Sequence, residues 1–189
     1  MKNTRSSQVA TVAMFFAAML VIHLLTSVLF NILPFPIKPT IVHIPVIIAS
    51  IIYGPRIGAM LGGLMGVISI VTNTIVLLPT SYLFSPFVEN GNLYSLVIAM
   101  LPRILIGVTP YYVYKIMNNK PGLILAGAVG SMTNTVFVLS GIFLLFSSVY
   151  NGDIKLMLAG ILGTNAIAEM IISATLTLAI IPVMEKLKK

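Results

Sequence analysis

A positive charge in the middle of an apolar segment is the first feature of this sequence that calls for chemistry. In YSLVIAMLPRILIGVTPYYVYK, residues 94–115, Arg103 has nine residues before it and twelve after it, nearly all apolar. At about 1.5 Å of rise per residue, a helix would hold it roughly 14 Å below one end. A guanidinium at that depth in a bilayer costs at least about 2.5–3.5 kcal/mol on insertion scales. Such a residue asks for an anion, and its planar fork of donors matches a carboxylate through two parallel hydrogen bonds. Few other residues can join it. Glu169, in GTNAIAEMII, is the other charged residue within an apolar segment, and Asn165 lies one helical turn before it on the same face. Asn134 sits in GSMTNTV.

Counted from the outer ends of their segments, Arg103, Asn134 and Asn165 all fall about nine to fourteen residues deep. Three helices thus bring a guanidinium, two amides and a carboxylate to one level, where they are expected to line a pocket. Arg103 would bind a small carboxylate, the asparagines would pair with hydroxyls and amides, and Glu169 would hold the guanidinium while the pocket is empty. In the competing reading Arg103 and Glu169 simply neutralise one another, with the asparagines as interhelical ties worth about 0.6–2 kcal/mol each. Against that stands the cost of burying an ion pair where apolar packing would suffice. His23 and His43 are each alone in their segments and read as hydrogen-bonded structural residues. Tyr82, Phe84, Phe87 and Tyr94 read as interfacial anchors or as pocket walls.

The elements that must position these residues follow from composition. Hydrophobic residues make up 58% of the 189 and charged residues 8%, against about 25% charged in ordinary soluble proteins. No Asp, Glu, Lys or Arg occurs between Arg5 and Lys38, between Arg56 and Glu89, or between Lys120 and Asp153. Apolar stretches of that length are membrane spans. The expected fold is an all-α integral membrane bundle of six transmembrane helices, forming one domain over residues 1–189. The spans run from about Gln8 to Leu33, a short one from Thr40 to Tyr53, then Ile57 to Leu78, Leu93 to Ile116, Leu123 to Ser148 and Leu156 to Met184. The first is too long for a signal-peptide core and reads as a retained span.

Even parity places both termini on one side. Lys2, Arg5, Arg56, Lys115, Lys120, Lys186, Lys188 and Lys189 fall on that side, and Lys38 and Lys155 opposite, beside Glu89 and Asp153. An excess of basic residues marks the cytoplasmic face, so both termini are expected in the cytoplasm of a cell-membrane protein. The +7 charge, held at span ends, forms no basic face for nucleic acid. The segments PTSYLFSPFVENGN and LPFPIKP then face outward, as a lid or as plain connections.

Small residues mark packing faces. Gly58, Gly62 and Gly66 recur every fourth residue and strip side chains from one stripe of the third span, expected to pack within the protein. Ala10, Ala13 and Ala17 form a similar stripe on the first span, which can equally serve a partner. Enzymatic chemistry finds little support. Cysteine is absent, and a single intramembrane carboxylate cannot make a metalloprotease. There is no H-E-x-x-H and no phosphate-binding G-x-x-x-x-G-K-[ST], so no metal, cofactor or ATP hydrolysis is expected of this chain. No half-repeat suggests a self-contained carrier. The remaining classes are a binding subunit energised by others, a solitary channel or carrier, and a membrane enzyme.

The stretches TIVHIPVIIASIIYGPRIGAMLGGLMGVIS, TSYLFSPF and YSLVIAMLPRILIGVTPYYVYK resemble the substrate-binding (S) components of energy-coupling-factor (ECF) vitamin transporters, most closely the pantothenate-specific branch. The resemblance covers nearly the whole chain. It implies a six-helix bundle that captures a vitamin from outside, near its outer face. It also implies docking on a membrane coupling protein (the T component) driven by two ABC ATPases, with the bundle toppling to release substrate inward. Ala13 and Ala17 match the family's A-x-x-x-A contact with the coupling protein, and Ala10 extends it. Pantothenate, an aliphatic monocarboxylate with hydroxyls and an amide, suits one arginine and two asparagines. Without Trp the largest stacking surface is missing, yet Phe and Tyr leave hydroxymethylpyrimidine, pyridoxine and folate open.

Overall fold

A computed structural model describes residues 5–32, 40–146 and 152–188, with the side chains of residues 5, 30, 31, 152–162, 187 and 188 left aside. Leu33, the Pro34, Pro36 and Pro39 cluster and Lys38 lie outside the described residues. The elements are α1 (Arg5–Ile32), α2 (His43–Tyr53), α3 (Pro55–Ile75), a short 3-10 turn (Ser81–Leu83), α4 (Leu93–Ile106), α5 (Thr109–Ile116), α6 (Lys120–Leu145) and α7 (Gly152–Lys188). Among the described residues the chain is all helix and loop.

Five segments are long and apolar enough to cross a membrane: Ser6–Leu29, Pro55–Ile75, Leu93–Ile116, Lys120–Leu145 and Gly163–Lys186. The sixth expected span differs. Helix α2 has 11 residues, or about 16 Å, roughly half the thickness of a hydrocarbon core. It is apolar on every side, which in a helix means burial rather than a solvent-facing stripe. Residues 43–51 are all buried, among α1, α3, α5, α6 and α7. At its end Gly54 adopts φ +97°, a left-handed conformation that disfavours any side chain. Pro55 then opens α3 with its φ already set for a helix. This one-residue reversal lays α2 along α3.

The glycine stripe of α3 packs against α4. A Cβ on Gly58 would strike the carbonyl of Gly107, and one on Gly62 the carbonyl of Arg103. Bare backbone on α3 thus lets α4 approach closely at the level of its arginine. The main core joins Phe15 and Met19 of α1, most of α2, Ile57, Leu61 and Met65 of α3, and Ile106, Leu123, Ala126 and Ile181. A smaller cluster of Leu83, Ile98, Val138, Ile142 and Phe146 lies under the α3–α4 connection. Around the bundle α1 packs on α2 and α3, α4 joins α3 to α6, and α6 pairs with α7.

Candidate functional site: a buried guanidinium at a small cavity

A cavity of about 340 Å³ opens between the two apolar clusters, at the small end of the range for ligand pockets, about 300–1,000 Å³. It is lined by His23 from α1, by Thr40 and Val42 ahead of α2, and by Met65, Ile68, Ser69, Thr72 and Asn73 from α3. Leu78, Thr80 and Phe84 come from the α3–α4 connection, Arg103 from α4, Asn134, Thr135 and Val138 from α6, and Asn165 and Glu169 from α7. The ring of Arg103, Asn134, Asn165 and Glu169 therefore shares one cavity.

The backbone of α4 explains how Arg103 is tolerated. The span 94–115 is not continuous: α4 ends at Ile106, and α5 restarts at Thr109 with Pro110 in its first turn. That break places Arg103 in the last turn of α4, where the partial negative charge of the carbonyl ends favours a cation. Pro102 contributes as well. Lacking an N–H, it leaves the Ile98 carbonyl, four residues back, without its helical donor. Arg103 Nη1 donates to that same Ile98 oxygen at 2.8 Å. The guanidinium carbon also sits 5.2 Å from the centroid of the Phe84 ring, within range of a cation–π attraction.

These contacts leave the guanidinium half used. Arg103 is 9% exposed, yet its Nε has no hydrogen-bond partner. With Nη1 committed to Ile98, the side-on edge formed by Nε and Nη2 is the fork still free to meet a carboxylate. Asn134 Oδ1, on the same cavity, is likewise buried without a partner. Glu169 does not fill the gap. Its Oε1 accepts a hydrogen bond from the Thr40 backbone N–H at 2.6 Å, and no salt bridge joins it to Arg103 among the described residues. Glu169 is itself 6% exposed, so it partly balances the cavity's charge while tying the start of the α2 segment to α7. Buried polar atoms are nearly always paired in folded proteins. His43, Ser50, Ser131 and Thr177 also carry unpaired atoms, but among the described residues Arg103 and Asn134 are the two such residues that line this cavity, where a ligand offering an anion and a donor would complete them.

The aromatic residues separate. Phe84 lines the cavity. Tyr82 packs edge-on against Phe146, with ring centroids 5.9 Å apart. Together with Phe87, which is 77% exposed, Tyr82 borders a separate hollow in the α3–α4 connection beside Glu89. Tyr94, also at this rim, stacks edge-on with Phe146 as well. His43 lies away from the cavity, 2.7 Å from Ser173 Oγ. His23, by contrast, lines the cavity and contacts Thr72 Oγ1 through Nε2 at 3.2 Å. Sequence reasoning did not place it there, nor the polar edge Ser69, Thr72 and Asn73, whose three- and four-residue spacing on α3 was the available signal. Ala10, Ala13 and Ala17 are all exposed, on the side of α1 turned away from Phe15 and Met19.

A helical bundle of membrane-length apolar segments with a small cavity, and a half-satisfied arginine in the cavity wall, suits the binding of a small anionic solute. Residues 7–181 match the family described as ECF transporter, substrate-specific component, and the chain belongs to that family. It is 49% identical over 191 residues to the pantothenic acid transporter PanT of Lactococcus lactis subsp. cremoris (strain MG1363), the match covering 98% of this chain and 97% of that protein. The protein is thus a multi-pass membrane transport component and not an enzyme.

Proposed function

We propose that this S component binds pantothenate in the cavity at Arg103 and delivers it through an ECF importer. The observation that carries the reading is that Arg103, a residue of the cavity wall, keeps a buried Nε without a partner. Nε and Nη2 take the vitamin's carboxylate, Asn134 and Asn165 face its amide and hydroxyls, and Met65, Ile68, Val42 and Val138 line the space for its aliphatic body. Phe84 backs the guanidinium, and Glu169 holds the segment at Thr40. Tyr82 and Phe87, outside this cavity, have no direct contact with the vitamin in this scheme. The 49% identity to a pantothenic acid transporter supports the choice of vitamin.

In the same proposal α2 counts as the sixth membrane segment, shielded from lipid by its neighbours. Both termini then lie in the cytoplasm, as the distribution of basic residues favours. The exposed stripe of Ala10, Ala13 and Ala17 meets the T component, whose two ABC ATPases supply the energy. The test is equilibrium binding of pantothenate and of its neutral alcohol analogue to the purified protein. Pantothenate should bind far more tightly. Equal binding of the two would remove the role of the carboxylate, and no binding of either would refute the choice of vitamin.

A further inference from the structure

We infer that His23, paired with Thr72, is a ligand-binding residue that recognises a hydroxyl at the end of the ligand remote from its carboxylate. This rests on the reading of Arg103 as the carboxylate site. The inward face of α1 runs through Phe15, Phe16, Met19, Ile22, His23 and Thr26, at helical spacing. The first four pack on the core, whereas His23 is the contribution of α1 to the cavity.

Around the bundle α1 and α3 stand across from α6 and α7, because α1 packs on α2 and α3 while α4 links α3 to α6. Arg103 comes from α4, which packs on α3 as well as on α6, and it shares one cavity with the α1–α3 wall, so a ligand held at Arg103 that fills the cavity also meets that wall. That wall is polar where it meets the cavity, through His23, Ser69, Thr72 and Asn73.

The imidazole suits a hydroxyl in particular. Nε2 is engaged with Thr72 Oγ1 at 3.2 Å, which leaves Nδ1 for the cavity. If the threonine hydroxyl donates to Nε2, Nδ1 carries the proton and donates; if Nε2–H donates to the threonine, Nδ1 accepts. A hydroxyl satisfies both arrangements, since it donates and accepts alike. A methyl or methylene satisfies neither. Thr72 thus engages Nε2 in either tautomer, and His23 reads the hydroxyl through Nδ1.

The experiment measures affinities of wild type, His23→Ala, His23→Gln, Thr72→Val and Arg103→Ala for pantothenate, for its two deoxy analogues each lacking one hydroxyl, and for the neutral alcohol. Wild type should prefer pantothenate to one of the deoxy analogues by about tenfold, the scale of one hydrogen bond whose loss leaves a partner unpaired. His23→Ala should erase that preference while keeping the preference for carboxylate over alcohol, and His23→Gln should restore part of it. Thr72→Val should weaken the hydroxyl preference alone. Arg103→Ala should do the opposite of His23→Ala, losing carboxylate discrimination and keeping hydroxyl discrimination. A His23→Ala protein that binds every ligand uniformly more weakly, or without change, would overturn the inference and leave the Arg103 reading standing. Wild type that binds pantothenate and its alcohol alike would overturn the Arg103 reading and, with it, this one.

Discussion

Replacing Arg103 by alanine removes the one arginine or lysine on the cavity wall among the described residues, and the structure sets the size of the loss. The available edge is Nε with Nη2, because Nη1 is held by the Ile98 carbonyl. Each charge-assisted hydrogen bond in such a fork contributes about 1.5–3 kcal/mol net, and truncating one member of a buried charge pair costs about 2–5 kcal/mol. The cavity is partly open, so about 3–4 kcal/mol is the expected loss, roughly 150- to 700-fold in Kd. Lysine keeps a charge but cannot satisfy Ile98 and grip a carboxylate side-on together, so Arg103→Lys should lose about ten- to thirtyfold.

The alanine variant should still fold, since it removes a costly buried cation as well as a hydrogen bond, and a melting curve checks this. The chain has no tryptophan, so calorimetry or labelled-ligand filtration is the assay of choice. A folded Arg103→Ala protein that binds pantothenate within about twofold of wild type would refute the reasoning, because two charge-assisted bonds cannot vanish for less.

Other expectations follow from neighbouring contacts. Pro102→Ala restores an N–H for the Ile98 carbonyl and releases Nη1, so melting temperature should rise or hold while pantothenate affinity falls severalfold; unchanged affinity would separate the proline from the arginine's placement. Glu169→Gln keeps an acceptor for Thr40 N–H but deletes a negative charge from the wall, so pantothenate should bind at least as tightly as to wild type, and a large loss would mean the carboxylate orients the guanidinium directly. A bulky residue at Ala13 or Ala17, both exposed and away from the cavity, should weaken co-purification with the T component and ATPases. Binding of the vitamin should be unaffected, as titration of the isolated variant would reveal.

The site was legible in the sequence where depth alone decided. Rise per residue is fixed in a helix, so counting inward from the span ends put Arg103, Asn134 and Asn165 at one level, with Glu169 one turn from Asn165, and all four line one cavity. Orientation within loops was not legible. Three aromatics in SYLFSPF were equivalent by type, and only the 3-10 turn settles that Phe84 faces the arginine while Tyr82 and Phe87 do not. That α2 is short and buried among its neighbours was not legible either, because apolarity does not distinguish lipid from protein interior. The break at 107–108 was hidden for a related reason: Gly107, Thr109 and Pro110 are all tolerated inside membrane helices, and it is the contact of Gly107 with Gly58 that locates it. The bond from Thr40 N–H to Glu169 had no signature at all, since every residue but proline carries that donor.

The central claim is that the unpaired edge of Arg103 receives the vitamin's carboxylate. An experimental structure with pantothenate bound measures this directly, as the distance from the carboxylate oxygens to Arg103 Nε. The expected result is a side-on pair at about 2.7–2.9 Å. A carboxylate held elsewhere in the cavity, with Arg103 Nε still unpaired or turned to Glu169, would contradict it.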